Sequence, residues 1–82
     1  MNTFLSPKAA KYLERLNEPI KGRIKAALKK LEQEPPKGDI KLLAGRDGYR
    51  LRVGGYRILF DIVSDTIIIT EIGPRGKIYK GR

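Results

Sequence analysis

Three arginines lie in the segment YRLRVGGYR, which covers residues 49–57, and no acidic residue separates them. The planar guanidinium group of arginine binds phosphate through pairs of parallel hydrogen bonds. If the segment folds so that Arg50, Arg52 and Arg57 share one surface, these side chains form a candidate anion-binding site. For any one of these arginines taken alone, the simpler interpretation is a solvated surface residue whose charge is screened by salt.

The same segment predicts a β-hairpin, with strands over 49–53 and 56–63 joined by the two-residue turn Gly54-Gly55. Such a turn pairs Arg52 with Arg57, and residues two apart in a strand share a face. The three arginines are therefore expected on one face. Like charges opposite each other destabilise a sheet by about 0.2–1 kcal/mol, so their retention favours a functional site. The other face should be apolar and should pack on helices; it carries Leu51, Ile58, Phe60 and Ile62.

The remaining elements are predicted around this hairpin. Ser6 followed by Pro7 begins a helix to about residue 16, after a short N-terminal strand. A second helix spans about 19–34, with Asn17 or Glu18 as its cap. Residues 40–48 are a linker or a short extended piece, and a third strand covers 66–72. The sequence thus predicts an α+β fold over residues 1–82, one domain in which a two-helix hairpin packs on an antiparallel β-meander.

The tail GPRGKIYKGR, residues 73–82, adds further basic side chains. In a meander, the end of the third strand lies beside the start of the second, so Arg75 is expected near Arg57. Tyr79 offers an aromatic face on which a base could stack, although an ordinary packed residue fits the pattern equally well.

Composition points to an anionic partner. The chain has 18 Lys and Arg against 9 Asp and Glu, a formal charge of +9. Nucleic acid, an anionic membrane or an acidic protein would suit this balance, and so would simple solubility. The chain has no His and no Cys, which excludes a Cys/His zinc site, a disulfide and a His-activated nucleophile. No apolar run reaches membrane-spanning length and no signal-peptide core is present, so a cytoplasmic location is expected.

The chain resembles the RelE/ParE toxin superfamily of bacterial and archaeal type II toxin–antitoxin systems. The resemblance lies in the order of its elements and in two segments, GYRILFDI at 55–62 and IGPRGKIY at 72–79. The resemblance implies a RelE-like fold and, for the RelE branch, a ribosome-dependent endoribonuclease that cuts mRNA. It also implies a cognate acidic antitoxin that wraps the toxin in a hetero-oligomer. The partners are then antitoxin, mRNA and ribosome, with no membrane.

The resemblance also implies roles for individual residues. Arg57, Arg75, Arg52 and Tyr79 would be catalytic, and Arg50 would bind an RNA phosphate. From their positive charge, we also expect Arg46, Lys77 and Lys80 to bind RNA phosphates. Cleavage by the RNA's own 2′-OH requires no protein nucleophile, metal or cofactor. Familiar RelE members carry lysines where Arg50 and Arg52 stand. Because arginine does not deprotonate in proteins, the proton acceptor stays open between Tyr79, water and a ribosomal group.

Two other functions compete with this prediction. One is a ParE-like poison of DNA gyrase that acts by binding and needs no catalytic arginines. The other is a non-catalytic RNA-binding domain, which usually exposes aromatic side chains on its strands. The predicted face here carries arginines and Leu59 instead.

Overall fold

The structure is a computed structural model that describes residues 1–76. The elements are β1 (Asn2–Leu5), α1 (Pro7–Arg15), α2 (Ile20–Leu31), β2 (Asp39–Leu42), β3 (Tyr49–Val53), β4 (Tyr56–Val63) and β5 (Thr66–Pro74). The strands form one sheet in the order β1-β5-β4-β3-β2. β1 runs parallel to β5, and the other neighbours are antiparallel. The predicted α+β fold, with a short N-terminal strand, two helices and a meander, is confirmed.

Both helices begin close to the predicted residues, and the second ends earlier. The cap of the second helix is Pro19, without a side-chain cap bond, so the prediction of Asn17 or Glu18 as the cap is wrong. The Ser6 hydroxyl oxygen caps α1 by accepting a hydrogen bond from the Ala9 N–H at 3.1 Å. Helix α2 stops at Leu31 rather than near Glu34. The N–H groups that follow Leu31 bond to carbonyls three residues back, which tightens the last turn and closes the helix. Among residues 1–76, no helix is both long and apolar enough to span a membrane.

The segment after the helices forms an additional edge strand. Residues 39–42 pair with β3 in antiparallel register, with Asp39 opposite Arg52 and Lys41 opposite Arg50. The loop between the two strands is closed by a hydrogen bond from the Leu43 N–H to the Gly48 carbonyl, at 3.0 Å. The three-stranded meander predicted from the sequence is therefore extended by β2 on one side and by β1 on the other.

The core lies between the helices and one face of the sheet. Three of the hairpin residues predicted to face the helices, Leu51, Ile58 and Phe60, are at most 2% exposed, and the fourth, Ile62, is partly buried against them. Burial of each such side chain stabilises the fold by about 1.5–3 kcal/mol. The opposite face of β3 and β4 is thereby left for the arginines. The helices and β5 supply the rest of the core: Ala9, Leu13, Ile24, Leu28, Leu31, Ile67, Ile69 and Ile72.

Candidate anion-binding site on the hairpin

The register of the β3–β4 hairpin is the predicted one. Arg52 pairs with Arg57 and Arg50 pairs with Leu59. A bulge interrupts the sheet, but it lies between β4 and β5, at Leu59/Phe60, and leaves the β3–β4 pairing continuous. Arg50, Arg52 and Arg57 therefore share the face of the sheet that points away from the helices.

Two of these arginines are buried. Arg50 is 7% exposed and Arg57 is 5% exposed, whereas the Arg52 side chain is 47% exposed. Within residues 1–76, the Arg57 Nε and Nη1 atoms and the Arg50 Nη2 atom have no hydrogen-bond partner. A buried donor without an acceptor costs about 1–3 kcal/mol, and more when it is charged. An anion bound at this place would supply the missing acceptors.

An acidic residue does lie among the arginines, which the sequence did not predict. Asp39 on β2 places Oδ2 at 3.4 Å from Arg52 Nε and Oδ1 at 3.6 Å from Arg50 Nη2. Both distances are those of ion pairs rather than of hydrogen bonds. Asp39 was missed because the prediction of residues 40–48 as a linker or a short extended piece gave this segment no partner strand. The alternation of Ile40 and Leu42 with polar residues was the available signal, but it is too short to identify a strand.

Arg57 lies one strand beyond Arg52, away from Asp39. Across the sheet, Asp39, Arg52, Arg57 and Gly73 occupy one row of paired positions. In the described part of the chain, no ion pair reaches Arg57. The group thus combines three guanidinium cations with one carboxylate, and its positive charge is least compensated at Arg57.

The other acidic residues of this face lie elsewhere. The Asp61 carboxylate lies beside Gly48, where a Cβ would meet Oδ1 at 2.8 Å. The Glu71 carboxylate pairs with Lys8 at 3.4 Å. Within residues 1–76, no cluster of three or more His, Cys, Asp or Glu side chains could hold a metal ion.

The remaining predicted site residues divide into three groups. The backbone of Arg75 is at the correct end of the hairpin, because its N–H donates to the Gly55 carbonyl at 2.8 Å and Gly73 pairs with Arg57. Arg46 is exposed in the β2–β3 loop, at the end of β3 opposite the Gly54-Gly55 turn, and is not brought to the group. Three predicted residues lie outside the described residues: Lys77, Tyr79 and Lys80.

The three arginines can bind and stabilise an anion, but none of them can accept a proton. Two buried guanidinium groups and one half-exposed group share one face of the sheet. Such fixed donors stabilise charge that develops on a phosphate more strongly in a partly buried site than in water. Arginine does not release its proton, so the arginines themselves supply charge and geometry.

Comparison with known proteins identifies a family. Residues 4–79 match the family model described as ParE toxin of type II toxin-antitoxin system, parDE. The chain is similar to a chain of the RelB–RelE antitoxin–toxin complex from Methanococcus jannaschii, with 31% identity, a TM-score of 0.77 and coverage of 93% of this chain and 94% of that one.

Two further solved structures give the same result. A chain of the archaeal RelE–RelB complex from Pyrococcus horikoshii is 28% identical, with a TM-score of 0.78 and coverage of 93% and 96% of the two chains. A chain of the RelBE2 toxin–antitoxin complex from Mycobacterium tuberculosis is 25% identical, with a TM-score of 0.73 and coverage of 90% and 96%. No curated protein matches the sequence.

Proposed function

The chain belongs to the ParE toxin family of type II toxin–antitoxin systems, within the RelE/ParE superfamily, and on this premise we propose that it is a ribosome-dependent endoribonuclease. The resemblance predicted from residues 55–62 and 72–79 is confirmed, and the protein is a toxin of a type II toxin–antitoxin system. To this family membership we add a proposed target, mRNA, and a proposed reaction, cleavage of that mRNA.

The state of Arg57 carries this proposal. Its guanidinium group is buried, faces another arginine across the hairpin, and has two N–H-bearing atoms without acceptors in residues 1–76. A stable structural role would require a partner for a buried charge. A phosphate of RNA has the oxygen acceptors and the negative charge that such a group lacks.

The proposed reaction uses the RNA as its own nucleophile. The 2′-OH attacks the adjacent phosphorus and loses its proton, the bond from phosphorus to the 5′-oxygen breaks, and that oxygen gains a proton. The products are a 2′,3′-cyclic phosphate and a 5′-OH end. The protein's part is to hold the chain in line and to stabilise the added negative charge of the phosphorane.

Each arginine has a proposed role in this reaction. Arg57 stabilises the charge of the phosphorane, Arg50 and Arg52 position the phosphate, and Arg75 acts on the leaving 5′-oxygen. For Arg75, the support is the hydrogen bond that brings its backbone to Gly55. Tyr79, as the resemblance implies, orients or stacks a base. The lysines at 77 and 80 and Arg46 contribute weaker, longer-range attraction to RNA.

The decisive experiment compares Arg57→Ala with Arg15→Ala on ribosomes programmed with a defined mRNA. Arg15 is exposed in the last turn of α1, so the control removes the same charge away from the hairpin. We expect Arg57→Ala to lower the cleavage rate by at least about 10²-fold, as loss of one transition-state charge donor does. The control should cleave at nearly the wild-type rate. Wild-type cleavage by Arg57→Ala would refute the assignment.

We also propose that a cognate acidic antitoxin binds this chain in a hetero-oligomer. The similar archaeal chains were solved in antitoxin–toxin complexes, and a charge of +9 favours an acidic partner. Co-expression with the open reading frame next to the gene, followed by size-exclusion chromatography, tests this. A stable complex that weakens as salt rises is expected; a toxin that elutes alone at low salt contradicts it.

A second candidate function is a ParE-like poison of DNA gyrase that acts by binding. The description of the matching family, which names ParE, favours it. Mapping of mRNA ends and of DNA breaks after induction separates the two. New 5′-OH ends in translated frames support the ribonuclease. Gyrase-linked DNA breaks with intact mRNA, unaffected by Arg57→Ala, support the poison.

A further inference from the structure

We propose that Asp39 is a positioning residue that holds the guanidinium groups of Arg50 and Arg52 for RNA cleavage; this rests on the proposed function. The Asp39 carboxylate belongs to no motif that the sequence marked. An ion pair to this carboxylate can keep the two arginines in one geometry on the face of the sheet that points away from the helices.

The geometry of β2 places the carboxylate between the two arginines. Asp39 is opposite Arg52 in the ladder, and its two oxygens divide between two partners, with Oδ2 towards Arg52 Nε and Oδ1 towards Arg50 Nη2. An arginine side chain has many accessible rotamers, and a neighbouring anion restricts them before RNA binds. The Asp39 side chain is short and 51% exposed, and its backbone is paired with β3, so the carboxylate stays on the side of the sheet that carries the two arginines.

The distances leave both arginines able to bind a phosphate. The Asp39–Arg50 approach, at 3.6 Å, is longer than a hydrogen bond, and Arg50 Nη2 still has no hydrogen-bond partner in residues 1–76. Asp39 approaches Arg52 through Nε, so the terminal nitrogens of Arg52 are not used in that contact. The carboxylate therefore orients the pair and leaves donors for the substrate.

Asp39 also determines where the uncompensated charge lies. One carboxylate shared by two arginines halves their joint charge, whereas Arg57 in the next strand has no such ion pair in the described residues. A phosphate is consequently drawn to Arg57, with Arg50 and Arg52 already in place beside it. Removal of the carboxylate would leave three free cations that repel one another across the hairpin.

Positioning and simple electrostatics predict opposite effects for the loss of Asp39. Loss of one acidic charge changes the net charge from +9 to +10, which strengthens attraction to RNA. If Asp39 were only an opposing charge, binding and cleavage would both improve. If Asp39 positions the arginines, binding is kept or improved while the chemical step slows, because misplacement of a catalytic group by about 1 Å can cost 10²-fold.

The test is the division between KM and kcat for cleavage of a defined mRNA on purified ribosomes. For Asp39→Asn we expect kcat to fall by about tenfold or more while KM stays equal or decreases. Asp39→Glu keeps the charge and should recover part of kcat. Asp65→Asn is the matched control, since Asp65 is exposed in the β4–β5 turn, about 20 Å along the strand from Arg57. Its kcat should equal that of the wild type.

A second measurement needs no ribosome. In the free toxin, exchange of the Arg52 Nε–H with water, followed by NMR, should be several-fold faster in Asp39→Asn than in the wild type, because the carboxylate that lies against this N–H is lost. Unchanged exchange, or a kcat for Asp39→Asn within twofold of wild type, overturns the inference. A wild-type protein that does not cleave mRNA refutes the proposed function instead, and the exchange rate still tests whether Asp39 holds Arg52.

Discussion

Arg52 and Arg57 lie directly opposite each other in β3 and β4, yet their surroundings differ. Arg52 is half exposed and has the Asp39 carboxylate at 3.4 Å. Arg57 is 5% exposed, and its Nε and Nη1 atoms have no partner within residues 1–76. The buried charge of Arg57 therefore lowers the stability of the free toxin, whereas the proposed activity requires that charge.

The first prediction follows from this conflict. Replacement of Arg57 by methionine keeps a long side chain and removes a buried charge without an observed partner. We expect Arg57→Met to raise the free energy of unfolding by about 1 kcal/mol or more. The same variant should lose mRNA cleavage. Urea denaturation followed by circular dichroism measures the first effect, and the ribosome assay measures the second.

Arg52→Met is the control for that experiment. Arg52 is half exposed and paired with Asp39, so its replacement should change the free energy of unfolding by no more than about 0.5–1 kcal/mol. Should Arg57→Met instead destabilise the toxin more than Arg52→Met does, the Arg57 guanidinium would have a stabilising partner, and the argument from its isolation would fail.

The second prediction concerns Leu59, which is 1% exposed although it lies on the arginine face and outside the core cluster. Leu59→Ala should lower the free energy of unfolding by about 2–5 kcal/mol, because it leaves a cavity. Val63 belongs to the same strand but is 54% exposed, so Val63→Ala should cost less than about 1 kcal/mol. Equal costs in chemical denaturation would show that the arginine face is not packed at Leu59.

The third prediction concerns the loop that joins β2, which carries Asp39, to β3. Gly48 has a φ of +111°, and a Cβ there would meet Asp61 Oδ1 at 2.8 Å and the Phe60 carbonyl oxygen at 3.3 Å. Gly48→Ala should therefore lower the free energy of unfolding by about 1–3 kcal/mol.

Gly55 is the matched control for Gly48. It lies in the hairpin turn without a positive φ, and no heavy atom lies within 4 Å of an added Cβ. Gly55→Ala should leave the free energy of unfolding within about 1 kcal/mol of the wild-type value. If thermal denaturation ranks the two variants in the reverse order, the described loop conformation is wrong.

The fourth prediction is a pH dependence. Burial, and to a lesser extent the nearby Tyr56, raises the pKa of Tyr12 above its ordinary value of 10.0. The folded state then holds this proton more tightly than the unfolded state does. The contribution of Tyr12 to stability is complete below pH 10 and is lost as pH rises through the raised pKa. Above pH 10, the free energy of unfolding of the wild type should fall relative to that of Tyr12→Phe, which has no hydroxyl to ionise. A difference between the two proteins that stays constant with pH would contradict this prediction.

The sequence by itself determined the hairpin and its arginine face. A two-residue Gly-Gly turn sets the register of the strands beside it, and side chains alternate along a strand, so Arg50, Arg52 and Arg57 could be placed on one face without a structure. The Ser6-Pro7 helix start was equally local, because the cap and the first turn are adjacent in sequence. The family resemblance rested on the same hairpin and on the segment that follows it.

Only the tertiary structure decided which arginine has a partner. The contact between Asp39 and Arg52 depends on the pairing of β2 with β3 across a loop, and a four-residue edge strand has too weak a pattern to predict that pairing. Arg57 is 5% exposed on the face away from the helices, a degree of burial that alternation along a single strand does not predict. Register within a hairpin is a local property, whereas burial and charge pairing arise from segments that meet only when the whole sheet has formed.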